Sequence, residues 1–160
     1  MSAGRPAASG DGSARAPFAE LSDAVQAALA GNADSAEFQL AAGIYNFPSD
    51  VAWDTRSLSF TGVGIDDTSL RLTDGFGPQA EVRARALAIA SASEVLTVGG
   101  AAWFLDNVAV RDLRLAFEAV AVELLGLRVE AGGVTVRGGT AVGRELDFDD
   151  AFLRMESVTD

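Results

Sequence analysis

The sequence predicts an all-β fold: a single-domain parallel β-helix of about 19 residues per coil and roughly six coils, entered through a short helix. Three observations lead there. The first is a repeat of apolar-x-apolar triplets. Val51/Trp53, Leu70/Leu72, Val108/Val110, Leu127/Val129 and Leu146/Phe148 share one register, their first members 19, 38, 19 and 19 residues apart. Ile89 with Ser91 half fills the skipped place. The second observation is another column, Leu96/Val98, Leu115/Phe117, Val134/Val136 and Leu153/Met155, which steps by 19 throughout and trails the first by 7 residues. A looser third column holds Ala101/Trp103, Val120/Val122 and Gly139/Ala141. The third observation is a change of period, from helical spacing before residue 30 to strict alternation after it. Columns sharing one period describe a stack. Each coil pairs its strands with those of the next, and inward apolar side chains form one continuous core that no single coil could bury.

The elements follow in chain order. Residues 1–17 are rich in Ala, Gly, Ser and Pro and read as a flexible arm ahead of a domain spanning 18–160. An amphipathic helix is expected at about 22–30. Ser22 caps it, Leu21, Val25, Ala28 and Leu29 form its apolar face, and Gly31 stops it. The coils begin at about residue 36. Phe38-Gln39-Leu40, Leu58-Ser59-Phe60 and Leu70-Arg71-Leu72 each direct two apolar side chains to one face of a strand. Between Asp74 and Arg85 the second column would fall on Gly77 and Gln79, so Gly75-Phe76-Gly77-Pro78 reads as a loop excursion.

Composition narrows the function. A hydrophobic fraction of 49% fits a globular chain, and the net charge of −11 repels nucleic-acid phosphates. All twelve basic residues are arginine, and histidine and cysteine are absent. That excludes disulfides, thiol nucleophiles, imidazole or thiolate metal sites and histidine-based triads. No apolar run approaches the length of a membrane span, and Met1–Pro17 lacks the apolar core of a signal peptide.

The register also pairs charges, although only apolar residues defined it. Glu118, Arg137 and Glu156 fall in one outward column, Arg111 and Glu130 in another, and Arg128 and Asp147 in a third. Compensation fails where Asp149 follows Glu130 and where Asp147, Asp149 and Asp150 crowd the last coil. Crowded carboxylates can do acid–base work or hold a hard cation. If the chain is an enzyme, Asp147, Asp149 and Arg128 are the candidate catalytic residues. Glu130, Asp149 and Asp150 are the candidate calcium ligands. Otherwise the chain needs no cofactor, and the cluster is a solvated acidic turn. Ile65-Asp66-Asp67-Thr68 is a second acidic turn. The glycines of Gly62-x-Gly64, Gly99-Gly100, Gly132-Gly133 and Gly138-Gly139 are turn residues, since none opens a helix and none precedes a lysine. Trp53, Trp103 and Phe104 could form a sugar-stacking platform, but the register points Trp53 inward.

Residues Leu21 to Leu29, then Phe38-Gln39-Leu40-Ala41-Ala42-Gly43-Ile44-Tyr45, then Leu58-Ser59-Phe60-Thr61-Gly62-Val63-Gly64 and Thr68 to Leu72, resemble the entry to the right-handed parallel β-helix of the pectin-lyase-like superfamily. There an amphipathic helix caps the first coil. A strand with a Gly-x-Tyr turn follows, then one ending in Gly-x-Gly. The resemblance covers 20–73 by motif and 74–160 by periodicity. It implies extracellular or cell-surface work on polysaccharides, often acidic ones, by lyases using calcium and an arginine or lysine base, or by hydrolases using paired aspartates. The sequence has no Asn-x-Asp or Gly-His-Gly segment of the hydrolase type.

The repeat stays in register to Val158, with neither helix nor polar coil to cover the last apolar layer. The chain is then a fragment of a longer solenoid, pairs end to end with another copy, or is covered by a partner or by the arm 1–17. The expected function is a non-catalytic structural or self-assembly module working through this coil. The alternatives are a carbohydrate-binding surface module or part of a polysaccharide lyase or hydrolase.

Overall fold

A computed structural model describes residues 21–30, 35–47, 57–73, 76, 81–99, 102–118, 121–137 and 140–156. The arm 1–17, the Val51/Trp53 triplet, Gly75, Gly77, Pro78 and the first members of the third column lie outside the described residues. Helix α1 (Leu21–Ala30) leads into β1 (Ser35–Gln39), β2 (Gly43–Asn46), β3 (Ser57–Thr61), β4 (Thr68–Arg71) and the long β5 (Glu81–Ala90). Then come β6 (Val95–Val98), the long β7 (Ala102–Arg111) and β8 (Arg114–Glu118). The C-terminal part holds β9 (Ala121–Leu125), β10 (Arg128–Glu130), β11 (Gly133–Arg137), β12 (Thr140–Arg144), β13 (Asp147–Asp149) and β14 (Phe152–Glu156).

These strands form a parallel β-solenoid of about five turns. One face stacks β1, β3, β5, β7, β9 and β12. The next stacks β2, β4, the second halves of β5 and β7, then β10 and β13. A third sheet stacks β6, β8, β11 and β14, each offset from the last by 19 residues, as the second column predicts. The first column needs one correction. Leu70 pairs with Ile89, but Ile89 pairs with Val110, so the step from β5 to β7 is 21 residues. Ile89 stands on Leu70 as the first column expects, but Val108/Val110 stack on Leu87/Ile89, both buried, and not on Ile89/Ser91. Two extra residues shift the count without changing which face is apolar, because the side-chain period is two.

The core runs the length of the stack. Phe38 stacks on Phe60 at 5.3 Å, and edge contacts continue through Phe47, Phe76 and Trp103 to Phe117. Phe76 lies in the expected excursion, yet it bridges Val98 and so adds a rung to the third sheet. Trp103 is buried, and its indole N–H donates to the Gly99 carbonyl at 2.7 Å. That removes it from any surface platform; Phe104 faces outward beneath the Arg83 guanidinium. One end of the stack is covered by α1, whose Leu21, Ala24 and Val25 join the core. Ser22 lies inside the first turn of α1 rather than capping it. Among the described residues no helix is long and apolar enough to cross a membrane.

Candidate functional site

The coil corners decide where the charged residues go. Ala86, Asn107, Gly126 and Glu145 stand at one corner with φ of +53° to +71°, and Asp112, Ala131 and Asp150 stand at the next with φ of +50° to +52°. Each ladder repeats with the register of its strands. A left-handed residue turns the chain sharply while the neighbouring carbonyls stay in the sheet ladders. The second corner separates Asp149 from Asp150. Asp149 belongs to β13, whereas Asp150 lies at the corner beside a groove of about 540 Å³. This groove crosses successive coils and is lined by Glu94, Asp112, Arg114, Gly132, Asp150 and Phe152, among others.

The predicted ion pairs form. Arg128 reaches Asp147 at 3.3 Å and Arg137 reaches Glu118 at 3.3 Å. Arg111 donates through Nε to Glu130 at 2.7 Å. Arg111 does more than its column requires. Its second nitrogen arm donates to Asp66 at 2.7 Å, and Nη1 donates to the Ile65 carbonyl at 3.0 Å. The acidic turn 65–67 is thus a dock for an arginine 45 residues away. The hydrogen bond to Glu130 pushes the Arg111 guanidinium above its already high ordinary range; partial burial opposes this, and the charges of Glu130 and Asp66 add to it. A raised arginine stabilises the fold at every pH below its unfolded value. That contribution fades only as the pH climbs through the folded one, beyond the normal working range.

Of the candidate calcium ligands, Glu130 and Asp149 are neighbours on adjacent strands, and Asp150 lies past the corner. Glu130 is engaged by Arg111, Asp149 stands beside it in register, and Asp150 turns into the corner groove. Among the described residues no three carboxylates are placed to share a metal ion. Of the candidate catalytic set, Arg128 is spent on Asp147, and Asp149 is the exposed neighbour two residues on. The 21-residue step also creates a pair that a uniform repeat misses, Arg85 with Asp106 at 3.5 Å.

A second feature stands at the coil 140–156. Val134 and Val136 are 0% exposed, but the residues stacked on them, Leu153 and Met155, are 39% and 53% exposed. Phe148, stacked on fully buried Val129, is only half-buried. Among the described residues no rung lies beyond β12, β13 and β14. No family model, curated protein or solved structure matches the chain.

Proposed function

We propose that the chain is a non-catalytic β-helix module with a structural role, exercised by end-on association at the coil 140–156. One observation carries this reading: an inward-facing apolar layer, Leu153 and Met155, stands open where the same columns elsewhere are closed. An open layer with unpaired strand edges is an adhesive surface in water. The test is mass by light scattering of the full chain over a range of concentrations. Wild type should gain mass, and Met155→Arg should stay at the single-chain value. A wild type that stays at 16.5 kDa throughout overturns the reading.

A second reading is carbohydrate binding. The corner groove favours it, because the ring of Phe152 lies among Glu94, Asp112 and Asp150, which can accept hydrogen bonds from sugar hydroxyls. Glycan-array binding without turnover, lost in Phe152→Ala, would support it. The affiliation we propose is the pectin-lyase-like superfamily, with an extracellular or cell-surface location, on the motifs of residues 20–73. A lyase or hydrolase built on Asp147, Asp149 and Arg128 has less support, since the arginine is already paired.

A further inference from the structure

Resting on the end-on reading above, we infer that the coil 140–156 pairs with the same coil of a second copy about a two-fold axis through Phe148, so that assembly closes as a tail-to-tail dimer. At the opposite end α1 packs its apolar face into the core, with Leu21 and Val25 at 2% and 0% exposure. Head-to-tail growth would therefore have to displace these apolar side chains from the core. The open coil also fits its own reverse. It reads β12 of five residues, a corner of two (Glu145, Leu146), β13 of three, a corner of two (Asp150, Ala151), and β14 of five. That layout is symmetric about Phe148. A two-fold axis there runs β12 antiparallel to the partner copy's β14 and β13 antiparallel to itself, continuing all three faces at once.

The side chains agree with that register. Counting outward from Phe148 sets Gly143 opposite the partner copy's Leu153, and Ala141 opposite its Met155. All four occupy inward columns. Each large exposed side chain thus meets a position with little or no side chain, which lets two open layers close without a void. On the outer surface the same count sets Arg144 opposite the partner copy's Phe152, and Val142 opposite its Arg154.

One contact opposes pairing. Asp147 falls opposite the partner copy's Asp149, so four carboxylates surround the axis. Behind them stand Arg128, already on Asp147, and Glu130, already held by Arg111. Overall the coil carries two arginines against five carboxylates, a net charge of −3. Like charges directly opposite destabilise strand pairing, and salt screens them. Association is therefore weakest at low ionic strength.

The test uses the full chain, which has no cysteine of its own. Sedimentation should show a doubling of mass that stops at two copies. The dissociation constant should fall about tenfold between about 0.02 and about 0.5 M NaCl. Asp149→Asn should tighten the dimer at low salt and flatten that dependence. Val142→Cys chains mixed with Arg154→Cys chains should give a covalent dimer under oxidation, and either variant alone should not. Both positions are exposed, so folding is preserved, as a thermal melt will verify. Filaments, or a dimer without the mixed cross-link, overturn the two-fold pairing and leave end-on association standing. A wild type that never leaves the single-chain mass overturns both.

Discussion

At the residue scale, the corners carry the strain and the predictions. Ala131 holds φ of +52°, a conformation that costs a residue with a Cβ about 1 kcal/mol. Its backbone N–H donates to the Asp149 carbonyl, and that bond survives a change to glycine. Ala131→Gly is expected to stabilise the chain by about 0.5 kcal/mol, read as a higher midpoint in thermal unfolding. The adjacent position behaves oppositely. A Cβ on Gly132 would stand 2.1 Å from the Leu113 carbonyl oxygen, inside the backbone of the coil below. Gly132→Ala should therefore cost about 2 kcal/mol or more in a denaturant titration. Arg111 joins two coils and the turn 65–67 with three hydrogen-bonding contacts. Arg111→Ala is expected to cost about 1 to 2 kcal/mol. A double-mutant cycle with Asp66→Ala should leave a small coupling, because Asp66 is 77% exposed and water screens the pair.

At the element scale, a strand's place in the stack outweighs its sequence. β11 and β14 follow the same alternation and register, yet among the described residues β11 has a strand on both sides and β14 on one. A charge placed inside β11 has no route to water. Val134→Asp should unfold the chain or cost about 4 kcal/mol, whereas Leu153→Asp, its neighbour in the same column, should cost about 1 kcal/mol or less. Circular dichroism melts of the two variants side by side check this, and equal losses would mean the columns are wrongly aligned. Thr68 shows how a polar residue is tolerated inward. It sits in register with Leu87, and its hydroxyl donates to the Ala41 carbonyl while accepting the Val63 N–H. Gly62 is needed beside it, since a Cβ there would meet the Thr68 side chain and the Ala86 carbonyl.

At the scale of the whole molecule, a solenoid behaves as a sum of neighbouring interfaces. The two ends then differ in kind. α1 closes one with apolar side chains that enter the core. The other presents Leu153 and Met155 with strand edges beside them. Stability of the terminal coil should consequently rise with protein concentration if that coil pairs, by mass action. Amide hydrogen exchange in β14 read at low and high concentration measures it directly: protection should grow in β14 and stay constant in β8. The charge of −11 acts at this scale too, opposing any close approach of two copies until salt screens it.

By itself the sequence determined the architecture. A period of about 19 residues, one apolar column that keeps it strictly, a second that keeps it in part, and the helix before them were enough to place α1, the strands of the third sheet and the ion pairs Arg111–Glu130, Arg128–Asp147 and Arg137–Glu118. Periodicity is legible because each coil repeats the same burial problem, and alternation records which side faces in. Only the tertiary structure decided what breaks the period. The 21-residue step at β5, the return of Phe76 into the core and the docking of Arg111 on Asp66 depend on contacts between residues that no local pattern links. The same holds for the last coil. Its acidic residues read as one cluster along the chain, but a left-handed corner at Asp150 sends that carboxylate to the groove and leaves Asp149 on the sheet. Sequence proximity sets which groups are neighbours along the chain, and the backbone dihedral at one corner sets which of them share a surface.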